Sequence, residues 1–260
     1  MPLINTQAVS ENSDILIFRG NEILVQDTYT LSIPDLAVYN KCLEYQVATD
    51  WFYEPDYKYN ALLLENSAPK PKGYHWVHLR NLFATNHPLA AAASRALGIL
   101  NWRNRYRFCS KCGSPLHEST KETARICLNC EQIFYPTISP AMIVLVEKDN
   151  KILLARHKNR NTDVFTCLAG YLEQGETLEE CVAREVHEEA GISITDIKYM
   201  GSQSWPFPDQ LMVAFKAKWL SGELTPETNE ITELQWFTRD ELPSIPKPGS
   251  VAYKLIKGLF

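Results

Sequence analysis

Short uninterrupted apolar runs, rather than long amphipathic stretches, dominate the first 85 or so residues of the chain. Ile15-Leu16-Ile17-Phe18 and Ala61-Leu62-Leu63-Leu64 are bounded by polar or proline-containing breaks, a pattern that predicts short strands. At Asn86 the pattern changes. Together with Pro88 it predicts a helix start, and the alanine- and leucine-rich residues 89–100 continue that helix, a linker, up to the basic and aromatic segment 102–108. Residues 141–146 and 152–155 are apolar runs on either side of Asp149-Asn150, which predicts a β-hairpin with a tight turn. From Thr177 to Ala190 the period is helical. It opens with a Thr177-x-x-Glu180 capping box and closes with Gly191, which makes it the best-punctuated helix in the chain. Strand character returns over 212–220 and 234–237, and residues 250–260 predict a short C-terminal helix after a proline-rich turn.

Composition narrows the classes. With 260 residues, 45% hydrophobic and 22% charged, the chain has the makeup of a folded globular protein with more than one module. A net charge of −5 and a pI near 5.7 leave no global positive field for long nucleic acid, so any RNA binding must be local. No apolar run approaches the roughly 20 residues that span a bilayer, and no basic-then-apolar leader opens the chain, so no membrane association and a cytoplasmic location are expected.

Four of the seven cysteines form two pairs, Cys109-x2-Cys112 and Cys127-x2-Cys130, each able to give two thiolates to one tetrahedral Zn²⁺. Gly113 stands where a tight knuckle turn favours glycine. Four thiolates close the coordination sphere and leave no place for water, so this zinc is expected to be structural. Cys42, Cys167 and Cys181 stand alone and read as core packing.

The second concentration of chemistry is acidic. In Arg184-Glu185-Val186-His187-Glu188-Glu189-Ala190-Gly191-Ile192, Glu185, Glu188 and Glu189 are three or four apart and share a helix face. Such like charges repel unless a hard divalent cation, Mg²⁺ or Mn²⁺, accepts their oxygens. Arg184 is spaced to pair with Glu188, and Gly170 and Gly175 free the preceding loop to turn. From Gly170 through Glu176 to Ile192, every fixed position is similar to the Nudix box: Gly, five residues, Glu, seven residues, Arg-Glu-aliphatic-x-Glu-Glu-x-Gly-aliphatic. That resemblance implies an α+β fold, the α/β/α sandwich of Nudix hydrolases with its mixed β-sheet, and metal-assisted hydrolysis of a nucleoside diphosphate linked to another group.

Downstream, Ser202-Gln203-Ser204-Trp205-Pro206-Phe207-Pro208-Asp209-Gln210-Leu211-Met212 displays two aromatic rings on a proline-stiffened loop. It resembles the Ser-Gln-Pro-Trp-Pro-Phe-Pro-x-Ser array of the NADH pyrophosphatase branch, which also carries a four-cysteine zinc ribbon between an N-terminal domain and the Nudix domain. Ser204 and Gln210 depart from the array's proline and serine. The resemblance implies three parts: residues 1–105, β-rich with a helical linker; 106–134, the zinc ribbon; and 135–260, the Nudix domain. It implies catalytic Glu185, Glu188 and Glu189, with Mg²⁺ or Mn²⁺ held by the Ala169 carbonyl, Glu185, Glu189 and Glu230. For the dinucleotide it implies Arg80, Glu122, Tyr135, Tyr171, Gln203, Ser204, Trp205, Pro206, Phe207, Pro208, Asp209, Gln210 and Ala252. It also implies a homodimer.

Arg156, His157, Lys158 and Arg160 offer phosphate contacts, but a solvated loop is the favoured reading of them. The expected reaction converts NADH or NAD and water to nicotinamide mononucleotide and AMP. Removing the NAD cap from RNA by cutting the same bond is the alternative, with Arg103, Arg105, Arg107 and Lys111 as its basic patch. A regulator that binds nucleotide without cutting it is a further class, disfavoured by the intact acids.

Overall fold

The structure, a computed structural model, describes residues 13–44, 48–158 and 163–260. The chain forms two compact units. The first holds the described residues up to Thr137 together with Pro206–Asp209, and the second holds Ile138–Trp205 and Gln210–Phe260. Among the described residues, no helix is long and apolar enough to cross a membrane.

In the first unit a five-stranded sheet has the order β3-β4-β1-β2-β5, made of β1 (Asp14–Arg19), β2 (Glu22–Val25), β3 (Ala48–Glu54), β4 (Tyr59–Leu64) and β5 (His75–His78). Only the β1–β4 pair is parallel. Helix α1 (Leu36–Glu44) contributes Tyr39 and Cys42 to a core with Ile15 and Ile17. After α2 (Arg80–Ala84), helix α3 (Ala90–Arg105) contributes Ala93, Ala96, Leu97 and Leu100 to a separate core with Leu16 and Phe18. A strand covered on both faces has no polar side to present, which is why β1 reads as an unbroken apolar run. The unit ends in a three-stranded antiparallel ribbon, β6 (Leu116–Glu118), β7 (Arg125–Cys127) and β8 (Ile133–Phe134).

The second unit is a sheet of order β12-β13-β9-β10-β14, with β11 also paired to β9. Its strands are β9 (Ser139–Lys148), β10 (Lys151–His157), β11 (Leu168–Tyr171), β12 (Ser193–Trp205), β13 (Gln210–Ser221) and β14 (Ile231–Thr238). The β9–β13 pair is parallel and the rest antiparallel, so the sheet is mixed. Along β9, Met142, Val144 and Val146 pack with Val182, Val186 and Ala190 of α4 (Leu178–Ala190). The alternate residues Ala141, Ile143 and Leu145 pack with Val251, Ala252, Leu255 and Ile256 of α5 (Val251–Lys257). Helices on both faces make this the expected α/β/α sandwich. Strand β9 bonds to β10 only at Glu147 and Lys148, and along 141–144 it bonds to β11 instead. That switch of partner brings the loop before α4 into the sheet.

Three expectations change. Helix α3 starts at Ala90 with Leu89 at its N-cap and no side-chain cap, whereas Asn86, at φ 50, belongs to a turn before it. It also runs on through Trp102 and Arg103 to Arg105, because those two side chains are buried in the unit. Finally, 202–212 is no loop: Ser202–Trp205 and Gln210–Met212 are paired ends of β12 and β13, leaving 206–209 as the tip.

Candidate active site and metal centre

The zinc ribbon builds its centre from two matching turns. Gly113 N–H donates to the Cys109 carbonyl and Glu131 N–H to the Cys127 carbonyl, each at 2.8 Å, and both turn residues have positive φ, 74° and 61°. The four sulfurs lie within 4.8 Å of one another, with Cys109–Cys130 at 3.6 Å and Cys112–Cys127 at 3.4 Å. Tetrahedral bonds of about 2.3 Å to one Zn²⁺ separate sulfurs by about 3.8 Å, so the thiols fit that ion. Hydrogen bonds from the Ser114 side chain and backbone and from Asn129 hold the Cys112 thiol down at about 5. Its thiolate is available to a metal at neutral pH.

In the second unit, α4 places the acids. Thr177 accepts the Glu180 N–H while the Glu180 carboxylate accepts the Thr177 N–H, and Gly191 closes the helix in the left-handed region at φ 71. Val182, Val186 and Ala190 are buried, which rotates Arg184, Glu185 and Glu188 away from the core. Glu189 is the exception, a carboxylate only 5% exposed. Glu230, in the turn before β14, is exposed.

Arg184 organises this surface. Its Nε meets Glu176 Oε1 at 2.5 Å, its Nη1 reaches Glu185 at 3.0 Å and Glu188 at 2.9 Å, and its Nη2 donates to the Tyr171 carbonyl at 3.0 Å. The Arg184 guanidinium and the Glu173 backbone N–H hold Glu176 down at about 2. The i,i+4 pair with Glu188 was legible from spacing, but the bond to Glu176, eight residues back, was not.

Glu185 lies against Gly170 of β11, where a Cβ would fall 1.9 Å from its carboxyl carbon. So Gly170 serves space rather than a turn, while Gly175, at φ 91, supplies the turn. Burial is the leading cause that pushes Glu185 above the ordinary carboxylate range; Arg184 opposes it, and the charges of Glu188 and Glu230 add to it. Among the described residues the cysteines are the only group of three or more such side chains whose ligand atoms converge within 4.8 Å. Glu185, Glu189 and Glu230 do not close to that distance, and Glu185 is engaged by Arg184. Their fit to a hard cation rests on charge: oxygen donors, one of them buried beside like charges, which a divalent ion would relieve.

The remaining candidates are distributed as follows. In the first unit, Tyr135 donates to Glu122 at 3.0 Å, and the Arg80 guanidinium lies 5.0 Å from the Phe207 ring centroid. Pro206 is buried, Pro208 is exposed, and Asp209 pairs with Arg105 at 2.9 Å. In the second unit Gln210 donates to the Tyr171 hydroxyl at 2.6 Å and Gln203 to the Gly249 carbonyl at 2.8 Å. Ser204 and Trp205 end β12, the Ala169 carbonyl lies on β11, and Ala252 is buried in the α5 core.

The basic patch expected for RNA dissolves in part. Arg103 is 3% exposed and paired with Asp50 and Glu118, and Arg105 is committed to Asp209. Arg156 pairs with Glu233 at 2.6 Å, the Lys158 ammonium donates to the Thr228 carbonyl, and Arg160 lies outside the described residues.

An α/β/α sandwich with a glycine-backed acidic helix, in a chain that also carries a four-thiol ribbon, defines a hydrolase of the Nudix type. Residues 137–257 match the NUDIX domain model and residues 104–135 the NADH pyrophosphatase zinc ribbon domain model. The NAD-capped RNA hydrolase NudC of Salmonella heidelberg is 42% identical over 179 residues, which cover 69% of this chain and 70% of that protein. NudC of Klebsiella pneumoniae is 41% identical over the same shares. The crystal structure of a NUDIX hydrolase from Nitrosomonas europaea aligns at 30% identity and TM-score 0.45, covering 53% of this chain and 80% of its own. The chain belongs to the Nudix hydrolase family, in the branch that carries the NADH pyrophosphatase zinc ribbon.

Proposed function

We propose that this protein is an NAD(H) diphosphatase, which adds water across the pyrophosphate of NADH or NAD to give nicotinamide mononucleotide and AMP. The observation that carries the reading is Glu185, seated against Gly170, held by Arg184 and raised by burial and by neighbouring acids. This is a concentration of negative charge that helps bind a pyrophosphate only through a cation. Glu185, Glu189, Glu230 and the Ala169 carbonyl are the proposed holders of Mg²⁺ or Mn²⁺, and Glu188 assists. Bound there, the ion neutralises phosphate oxygens and lowers the pKa of water. The chain's own part is positioning. Arg184 fixes the loop and helix together through Glu176 and the Tyr171 carbonyl. Glu189, the most buried of the acids, is the first choice for general base. Trp205 and Phe207, with Tyr171, Gln203, Ser204 and Gln210, are the proposed contacts of the nicotinamide or adenine rings.

The second reading is removal of the NAD cap from RNA through the same bond cleavage, favoured by the activity named for the NudC relatives. The same reading takes zinc as structural and the protein as a cytoplasmic homodimer of three-part chains divided near 105 and 134.

The test offers NADH, NAD, ADP-ribose and NAD-capped RNA side by side with each metal and identifies the products. AMP released from NADH, and lost in Glu189→Gln while nucleotide binding persists, is the expected result. Unchanged hydrolysis by Glu189→Gln overturns the metal chemistry, and binding without turnover by the unaltered chain favours a regulator.

A further inference from the structure

Asp209 occupies the position that the aromatic array leaves unspecified, and it is not idle. Its carboxylate, only 12% exposed, accepts from the Arg105 guanidinium at 2.9 Å. Arg105 is the last residue of α3, a helix seated by buried Ala96, Leu97, Leu100 and Trp102, so the cation stands on a rigid base. Its Nε also donates to the Asn101 carbonyl one turn back, at 3.4 Å. Two residues before Asp209, the Phe207 ring lies under the Arg80 guanidinium and 5.1 Å from the His78 ring centroid. One residue after it, Gln210, the second departure from the array, donates to Tyr171 at 2.6 Å.

We propose that Arg105 is a positioning residue for substrate binding: by holding Asp209 it fixes the 206–209 tip, so that the Phe207 ring is set before the dinucleotide arrives. The proposal rests on the reading of this segment as the nucleotide-contacting one. Arg105 also cancels the charge of Asp209. An unmasked carboxylate in that segment would repel a dinucleotide carrying two phosphate charges, so losing Arg105 weakens binding in two ways while leaving the acids of α4 untouched. The signature is therefore a rise in KM with kcat preserved.

Steady-state kinetics on NADH with Arg105→Met, Arg105→Lys, Asp209→Arg, and the charge exchange Arg105→Asp with Asp209→Arg tests this, with Trp205→Ala in parallel. Arg105→Met is expected to raise KM about three- to tenfold, with kcat within about twofold, as for a partly shielded ion pair. Arg105→Lys is expected to fall between it and the unaltered enzyme, because an ammonium keeps the attraction but loses the fork. The exchange is expected to recover most of the loss seen in Asp209→Arg alone. An unchanged KM in Arg105→Met, or an exchange no better than Asp209→Arg, overturns the proposal. If Trp205→Ala raises KM while Arg105→Met does not, Arg105 alone is wrong; if Trp205→Ala also leaves KM unchanged, the nucleotide-contacting reading itself fails.

Discussion

Gly170 and Glu185 occupy space that only one side chain can use: a Cβ on Gly170 would fall 1.9 Å from the Glu185 carboxyl carbon and 2.0 Å from its Oε1. These are covalent, not contact, distances, so Gly170→Ala must push Glu185 aside. Strand β11 and helix α4 are each packed by residues that the change does not touch, so the displacement stays local. We expect kcat/KM to fall by at least about a hundredfold, the scale of an ångström-sized misplacement of a reacting group. The far-ultraviolet spectrum should be unchanged. Near-normal turnover would show that Glu185 is not required where it stands.

Glu176 gives the site a pH dependence whose sign can be worked out. Its carboxyl is held at about 2 in the folded chain, against an ordinary value of 4.5, by Arg184 and the Glu173 N–H. A depressed acid stabilises the fold fully above its unfolded value and loses that contribution as pH falls through the folded one, here from about 4.5 down to about 2. Glu176→Gln removes the term. Its melting temperature should lie below that of the unaltered chain at neutral pH, and the two should converge as pH approaches 2. Parallel melting curves throughout would mean that the Glu176–Arg184 pair contributes nothing.

How much of this was legible in the sequence depended on whether a feature is local. Helix α4 was readable end to end, because Thr177, Glu180 and Gly191 act on their own neighbours and the apolar spacing is set by one core face. The cysteine centre was readable because two-residue gaps constrain each pair. Helix α1 went unread although Asp35, accepting the Val38 N–H at 3.0 Å, marks its start. Strand β12 was hidden by its place at the sheet edge, where most side chains are polar and register irregularities at Thr195/Lys198 and Tyr199/Gly201 break the alternation. The pairing of Arg105 with Asp209, 104 residues apart, has no local trace. Nor did the steric role of Gly170, since a glycine kept for space looks like one kept for a turn.

The ribbon makes a sharp prediction about metal. Its strands are three, three and two residues long, too little sheet to carry a core, and Phe108, Leu128 and Ile133 are exposed. Within the segment the two knuckles are tied by the shared centre of four sulfurs, so zinc binding and the folding of the knuckles are expected to be one event. Purified protein should contain one zinc per chain, released in step with modification of the four paired cysteines, and Cys112→Ser should lose it. Amide exchange within 109–134 should rise on zinc removal while that of β9 and α4 stays low. Protection unaffected by chelation would show that the ribbon folds without metal.

Arg103 carries the last prediction, since its burial runs against the ordinary preference of a guanidinium. At 3% exposure, its Nε and Nη2 grip Asp50 of β3 at 2.6 and 2.7 Å and its Nη1 meets Glu118 of β6 at 3.1 Å. The other Glu118 oxygen takes Arg125 at 2.7 Å, and Arg125 donates in turn to the carbonyls of Arg103 and Tyr106. One network thus joins the first sheet, α3 and the ribbon. Arg103→Met takes the guanidinium from Asp50, whose side chain is 15% exposed, while Glu118 keeps Arg125, and breaking a largely buried pair costs about 3–5 kcal/mol. At roughly 2–4 °C per kcal/mol for a unit of this size, the melting midpoint should fall by about 10 °C. Adding Asp50→Leu should return part of the loss, because the orphaned charge, rather than the missing attraction, is the larger penalty. A second substitution that only deepens the loss would show that the attraction dominates, and that Arg103 is a net contributor to stability and not merely a neutraliser.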